Sequence, residues 1–464
     1  MVESLDPVVR EVDAFAVHME EDPLLRSTIV AVALFDTTPD WDVFVDRMER
    51  ATRLAPSFRS LLVQPPLRLG PLRRVPDPDF DLSWHLRRMA APAPHTLDEV
   101  LGFASTAGMT AFDVARPLWE FTLVEDLTDG RSALVMKVHH SLTDGIGGIQ
   151  LAQHVVDLQR EAPELGPMPA VPPAERISTA RLVVDSLSSN LTRTVGLAGD
   201  PLRRLPRDLL GLVRNPIGVA GRGLKVVGSI GNFVRPVTST MSPLMTDRRL
   251  AWRYETLDVP FAELRLAGKS ADGTVNDAFM AAVAGGLARY HDRHDQPVEE
   301  LRVTMPVSVR ESDDAEGGNR ITLARIVIPV GLADPKDRIR AIRSISRQWR
   351  SEPSISYTSA IAGALNLLPR SITGEMLKHV DFTASNVPGF TVPVYVGGAR
   401  VTGFYPFGPP IGASANFTLM SYAGTCNIGV TADRSAITNP QERMAVLVEG
   451  VDGVLRLGGG QEDS

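Results

Sequence analysis

The feature that most constrains this chain is a short stretch around residue 130. Leu118 to Asp126 has a strand pattern, Asp129-Gly130 is a turn signal, and Ala133 to His139 is strand-like again. The spacing predicts a β-hairpin with His139 and His140 at the exit of its second strand. Side chains alternate along a strand, so the two histidines point to opposite faces if the strand still runs there. One can then face a channel while the other packs inward. Asp144-Gly145-Ile146-Gly147-Gly148 follows at once. Its glycines permit a tight backbone turn and close approach of a substrate. Leu151 to Leu158 then reads as helical.

The flanking sequence is α/β in character. Residues 27–36 read as a strand, Trp41 to about Ala55 as an amphipathic helix, and Thr96-Leu97-Asp98-Glu99 as a capping box opening a helix toward Met109. Residues 161–180 are rich in proline and small residues and read as a linker. Between 201 and 240 there are seven Lys or Arg against one acid, Asp208, interleaved with apolar clusters. Such a mixture suits helices laid on an anionic membrane or lipid-droplet surface, or helices that cover the protein's own body. A second α/β unit follows. It has strands near 251–259, 301–309, 322–330 and up to Ala384, and a helix from about Thr274 to Tyr290. Two more helices come after 330, then a hairpin across Ala423-Gly424 and a last helix capped by Asn439-Pro440. The expected organisation is a first lobe over 1–160, a linker and basic segment over 161–250, and a second lobe over 251–464.

Composition narrows the function. A net charge of −7 argues against a general nucleic-acid binder, because phosphate binding needs a basic face. A single cysteine, Cys426, excludes an internal disulfide framework and any multi-thiolate metal site, and it fits a reducing cytosol. The N-terminal residues do not read as a signal peptide, and no segment has about 18 uninterrupted apolar residues. A cytoplasmic protein is expected, with a peripheral membrane or droplet location left open.

Acyl transfer from a thioester to a hydroxyl needs a group that removes the alcohol's proton during attack. A neutral imidazole suits this near pH 7, and general-base help is worth roughly 10²–10⁴-fold. Coenzyme A thiolate leaves readily, so no enzyme nucleophile is needed. From spacing alone, the paired histidines followed by Asp-Gly fit either this catalysis or a structural role at a strand end.

The run His139-His140-x-x-x-Asp144-Gly145 resembles the signature of the coenzyme-A-dependent acyltransferase superfamily. Further motifs resemble the bacterial wax ester synthase/diacylglycerol acyltransferase family. They are Pro117-Leu118-Trp119-Glu120, Asn276-Asp277, Pro306-Val307-Ser308-Val309-Arg310, Gly318-Asn319, Ser385-Asn386-Val387-Pro388-Gly389 and Ser421-Tyr422-Ala423-Gly424. They occur in the family's order and span nearly the whole chain. The resemblance implies a chloramphenicol-acetyltransferase-like fold: two similar α/β lobes with mixed sheets and an active-site tunnel at their junction. It implies His140 as the base, acyl-coenzyme A as co-substrate, a lipid hydroxyl as acceptor, and no metal or other cofactor. It also implies that Asp144 turns away from the substrate to pair with an arginine, for which Arg310 is the candidate. Two rivals stand beside this reading: a condensation-type enzyme fed by carrier-protein thioesters, and a non-catalytic lipid-surface protein on the same fold.

The other motifs each have a plain structural reading. Trp119 is expected in the hairpin core, with substrate contact as the alternative. Asn276 and Asp277 suit a helix N-terminus, or a place near the acyl carbonyl. Ser385 and Asn386 precede a Val-Pro-Gly turn, or hydrogen-bond the thioester oxyanion or coenzyme arm. Gly318-Asn319 reads as a turn, and His85, His95, His154, His291 and His294 as structural or exposed. Many family members carry Met-His where this chain has Arg26-Ser27-Thr28, and proline where it has Phe390.

Overall fold

The computed structural model describes residues 8–66, 70–143, 145–174, 239–308, 321–350, 374 and 377–458. Strands before the linker are β1 (Thr28–Phe35), β2 (Ser60–Val63), β3 (Arg73–Pro76), β4 (Leu86–Ala90), β5 (Trp119–Glu125) and β6 (Ser132–His139). After it come β7 (Trp252–Pro260), β8 (Glu300–Ser308), β9 (Ile321–Pro329), β10 (Phe382–Pro388), β11 (Tyr395–Val396), β12 (Ala399–Phe407), β13 (Ala415–Tyr422) and β14 (Thr425–Asp433). They form two six-stranded mixed sheets, in the orders β11-β12-β1-β6-β5-β4 and β7-β14-β13-β10-β8-β9, plus a small β2-β3 ladder. This is the two-lobed α/β architecture expected.

Local chemistry accounts for the elements near the site. The hairpin β5-β6 pairs antiparallel from Trp119↔Val138 to Val124↔Ala133, and its turn uses positive φ at Asp129 and Gly130. Thr96 and Glu99 close the anticipated capping box on the helix Leu97–Met109. Asp40 caps the helix Trp41–Leu54 by accepting the Val43 N–H at 3.0 Å. At the second hairpin Ala423 and Gly424 both have positive φ, the backbone that a two-residue turn requires there.

Two strands from the second half of the chain, β11 and β12, belong to the first sheet. β12 leaves the second half of the chain and pairs antiparallel with β1 from Val30↔Phe407 to Phe35↔Val401. Without it β1 would be an open edge of unpaired N–H and C=O groups. The exchange also fastens the two sheets together. A Cβ on Gly429 of β14 would lie 1.9 Å from the Pro406 carbonyl oxygen, so only glycine fits that crossing. Nearby, the Asn427 amide accepts the Phe404 N–H at 3.1 Å and donates to Asp258 at 2.7 Å.

Each sheet buries its own core. Behind the first sheet, Val30, Val32, Val124 and Val135 pack with the helix Leu97–Met109 and with Trp252, Tyr254 and Phe407 from the other half. The second sheet is covered by the helices Phe261–Ser270, Val275–Arg293, Pro335–Arg350 and Pro440–Leu455. The described part of the linker is strapped along the helix Trp41–Leu54. Arg47 donates to the Pro163 carbonyl, Arg50 to Gly166 and Pro167, and Arg53 to Pro169. These arginines recur every three residues, which puts them on one helix face. No helix among the described residues is long and apolar enough to cross a membrane. The basic stretch 201–240 lies almost wholly outside the described residues.

Candidate active site

A cavity of about 300 Å³ lies between the two sheets, walled by side chains from both. Strand alternation explains which residues reach it. On β1, Ile29, Ala31, Ala33 and Phe35 face inward; on β6, Leu134, Met136 and Val138 do. His140 continues that β6 series and stands half-buried at the cavity wall. Its backbone N–H donates to the Ser27 carbonyl at 2.9 Å, which fixes the strand exit.

His139, one residue out of phase, points the other way and is fully buried. Its Nδ1 accepts the Ser141 backbone N–H at 3.1 Å and lies 2.6 Å from Ser141 Oγ. Since Nδ1 accepts, the ring proton sits on Nε2 and is donated to Glu20 Oε1 at 3.1 Å. The sequence expectation of one inward and one channel-facing histidine therefore holds, with His140 on the channel side.

The cavity has two characters. One arm is hydrocarbon: Ala31, Ala33, Phe35, Phe44, Phe58 and Phe121 line it beneath the first sheet. The polar side chains of the lining come mostly from the second sheet: Thr304, Thr383, Ser385, Asn386, Asn416 and Thr418 on β8, β10 and β13, beside the apolar Val387 and Met420. The Asn416 amide organises part of this set. It donates to Thr383 Oγ1 at 2.7 Å and to the Pro409 carbonyl at 3.3 Å, and accepts from Thr418 Oγ1 at 2.6 Å. A Cβ on Gly408 would stand 2.7 Å from the Asn416 amide nitrogen, so the glycine makes room for it. At Gly148 the nearest atom to an added Cβ is Thr143 at 3.9 Å. The missing side chain there relieves no clash within the protein; it widens the cavity.

Ser385 and Asn386 do line the cavity, but they belong to strand β10, paired with Thr418 and Leu419 of β13, rather than to a turn. β10 pairs with β8 only at Phe382 and Thr383, so the sheet opens beyond that point, where both residues sit. Trp119 is enclosed by protein. Its Nε1–H donates to the Phe58 carbonyl at 2.8 Å, and it stacks on His85 at 4.4 Å between ring centroids. His85 in turn donates from Nδ1 to the Trp119 carbonyl at 2.7 Å, and burial lowers its pKa, keeping the ring neutral. Asn276 and Asp277 are not brought to the cavity. Asp277 completes a capping box with Thr274, and Asn276 contacts the Met305 sulfur at 3.7 Å. Gly145 begins the helix Gly145–Ala152, which rests against β10. Asp144, Arg310 and Gly318-Asn319 lie outside the described residues.

Sequence reasoning missed Asn416, Thr418, Thr383, Thr304 and Thr143. A signal existed for the first two: they stand two apart in a strand whose other residues are largely apolar, so one face of it is polar.

Two facing mixed sheets with a histidine at their shared cavity define the fold class, and solved structures match it along nearly the whole chain. A wax ester synthase/diacylglycerol acyltransferase from Marinobacter aquaeolei VT8 superposes with a TM-score of 0.63 at 22% identity, covering 98% of this chain and 100% of that one. The first condensation domain of the calcium-dependent antibiotic synthetase gives a TM-score of 0.61 at 14% identity, over 99% and 97% of the two chains. Family models then narrow the class. Residues 10–279 match the wax ester synthase/diacylglycerol acyltransferase catalytic domain, and residues 317–452 match the C-terminal domain of the same family. A Mycobacterium tuberculosis protein provisionally given as a diacylglycerol O-acyltransferase is 35% identical over 456 residues, covering 95% of this chain and 90% of that one. Another from the same organism, with the same provisional description, is 30% identical over 93% of each chain. The chain belongs to the wax ester synthase/diacylglycerol acyltransferase family and is an acyltransferase.

Proposed function

We propose that the protein moves a long-chain acyl group from acyl-coenzyme A to the hydroxyl of a diacylglycerol or a fatty alcohol, with His140 as general base. One observation carries this reading. Among the described residues lining the cavity, His140 is the only titratable side chain, and the other walls are hydrocarbon or uncharged hydrogen-bonding groups. Such a cavity suits chains that must leave water, and it offers one group able to take a proton. The acceptor hydroxyl gives its proton to the neutral imidazole as its oxygen attacks the thioester carbonyl carbon. The tetrahedral intermediate collapses, the carbon–sulfur bond breaks, and the imidazolium returns the proton to the coenzyme A thiolate. Ser385 and Asn386 line the cavity and are the candidates for the donors that an oxyanion needs. The rhizomide synthetase starter condensation domain, a fold relative, was solved with C8-CoA, which supports an acyl-coenzyme A donor here.

Product analysis with labelled palmitoyl-coenzyme A, offered with diacylglycerol or hexadecanol, tests the reading. Labelled triacylglycerol or wax ester with stoichiometric coenzyme A release is expected; labelled free fatty acid alone would refute it.

The hydrocarbon arm yields a second prediction. Ala33→Phe puts a ring among Phe35, Phe44 and Phe58 and should shorten the space for an alkyl chain. Turnover with sixteen-carbon donors should fall about tenfold or more, while eight-carbon donors keep most of their rate. An unchanged profile across donor lengths, with acceptor length now discriminated, would assign the arm to the acceptor instead.

A further inference from the structure

We infer that Glu20 is a positioning residue for His140, acting from behind the sheet through two separate hydrogen-bond paths. The inference rests on His140 being the base. The first path runs through backbone. Glu20 Oε1 accepts the Ser27 N–H at 2.5 Å, and the Ser27 carbonyl accepts the His140 N–H at 2.9 Å. The second runs through the buried histidine. The same Oε1 accepts from His139 Nε2 at 3.1 Å, and His139 Nδ1 accepts the Ser141 N–H at 3.1 Å. One carboxylate oxygen thus ties down the residues before and after His140, at a strand exit where the ladder itself is ending.

The chemistry explains why an acid stands there. An oxygen that accepts from Nε2 holds His139 in the tautomer whose Nδ1 is bare, and only that tautomer can accept from Ser141. The other tautomer would aim an N–H at the Ser141 N–H. Glu20 itself is placed by the end of the helix Glu11–Met19, where its N–H donates back to Val17. Ser27 lies in the segment Arg26-Ser27-Thr28 that leads into β1. Its backbone groups, rather than its side chain, make the contacts described here.

Removing the clamp should let the imidazole drift without altering the cavity that binds the substrates. Displacements of about 1 Å in catalytic groups can cost about 10²-fold. The test compares Glu20→Ala, Glu20→Gln and Ser141→Ala in the full-length protein. Glu20→Ala is expected to lower kcat about tenfold to a hundredfold, with KM for palmitoyl-coenzyme A changed by less than about twofold. Glu20→Gln retains a carbonyl oxygen that can accept from both donors and should recover most of kcat. Ser141→Ala deletes only the Oγ contact and should lower kcat by a few-fold at unchanged KM. Because Ser141→Ala removes one oxygen, it keeps the idea testable should Glu20→Ala fail to fold. Wild-type kcat in Glu20→Ala, or a Glu20→Gln as damaged as Glu20→Ala, or a loss shared equally with KM, would overturn the inference. If His140→Ala is inactive while the Glu20 variants are normal, only the clamp fails; an active His140→Ala removes the base assignment itself.

Discussion

Replacing His140 by alanine should lower kcat by at least about 10²-fold while leaving the protein folded and KM for acyl-coenzyme A nearly unchanged. The ring lines an open space and is half-buried, so its loss leaves no packed void. What disappears is the only titratable group among the described cavity-lining residues. His139→Ala should behave in the opposite sense. That ring is fully enclosed and bonded at both nitrogens, so its removal takes one of two partners from Glu20 Oε1 and leaves the buried Ser141 N–H without its acceptor. Its first symptom should be a lower melting temperature and reduced soluble yield. Steady-state kinetics together with thermal melts of both variants check the pair. A His140→Ala protein with near-normal turnover would reject general-base catalysis by this residue.

The second large effect is structural. Trp119→Ala should destabilise the protein by about 3–5 kcal/mol, the range for deleting a fully buried large aromatic side chain. Trp119 is 0% exposed and meets Phe58, His85 and Phe121 with ring centroids 5.7, 4.4 and 5.1 Å away. Its loss also leaves the Phe58 carbonyl without the Nε1–H donor. Phe58 and Phe121 are cavity walls, so the hydrocarbon arm should deform along with the core. Trp119→Phe keeps most of the ring but not the donor and should cost about 1–3 kcal/mol. Equilibrium denaturation measures both. A Trp119→Ala protein as stable as the parent would show that the hairpin core is organised differently.

The parts of the site legible in sequence are the local ones. The hairpin, its turn and the split of His139 from His140 follow from period-two alternation and a turn dipeptide within some twenty residues of chain. Thr96, Thr274 and Asn439 announce their helices because a cap and its partner lie three residues apart. Long-range features were not readable. β12 pairs with β1 across more than 360 residues, and its Gly403 and Pro406 weaken the strand pattern. Glu20 looks like any acid at a helix end until folding brings it to His139. Ser385 and Asn386 look like turn residues because Pro388 and Gly389 follow, yet pairing with β13 holds them extended. Tertiary hydrogen bonding there overrides local preference. Asn416 carries no chemistry of its own and is informative only as the hub joining Thr383, Thr418 and the Pro409 carbonyl.

The most direct test is a solved complex with a non-reactive acyl-coenzyme A analogue and an alcohol acceptor bound together. The account predicts the acceptor oxygen about 2.6–3.2 Å from a ring nitrogen of His140, with the acyl carbonyl beside it and the alkyl chain in the phenylalanine-lined arm. A complex with both ligands bound and the hydroxyl held by another residue, out of reach of that imidazole, would contradict it.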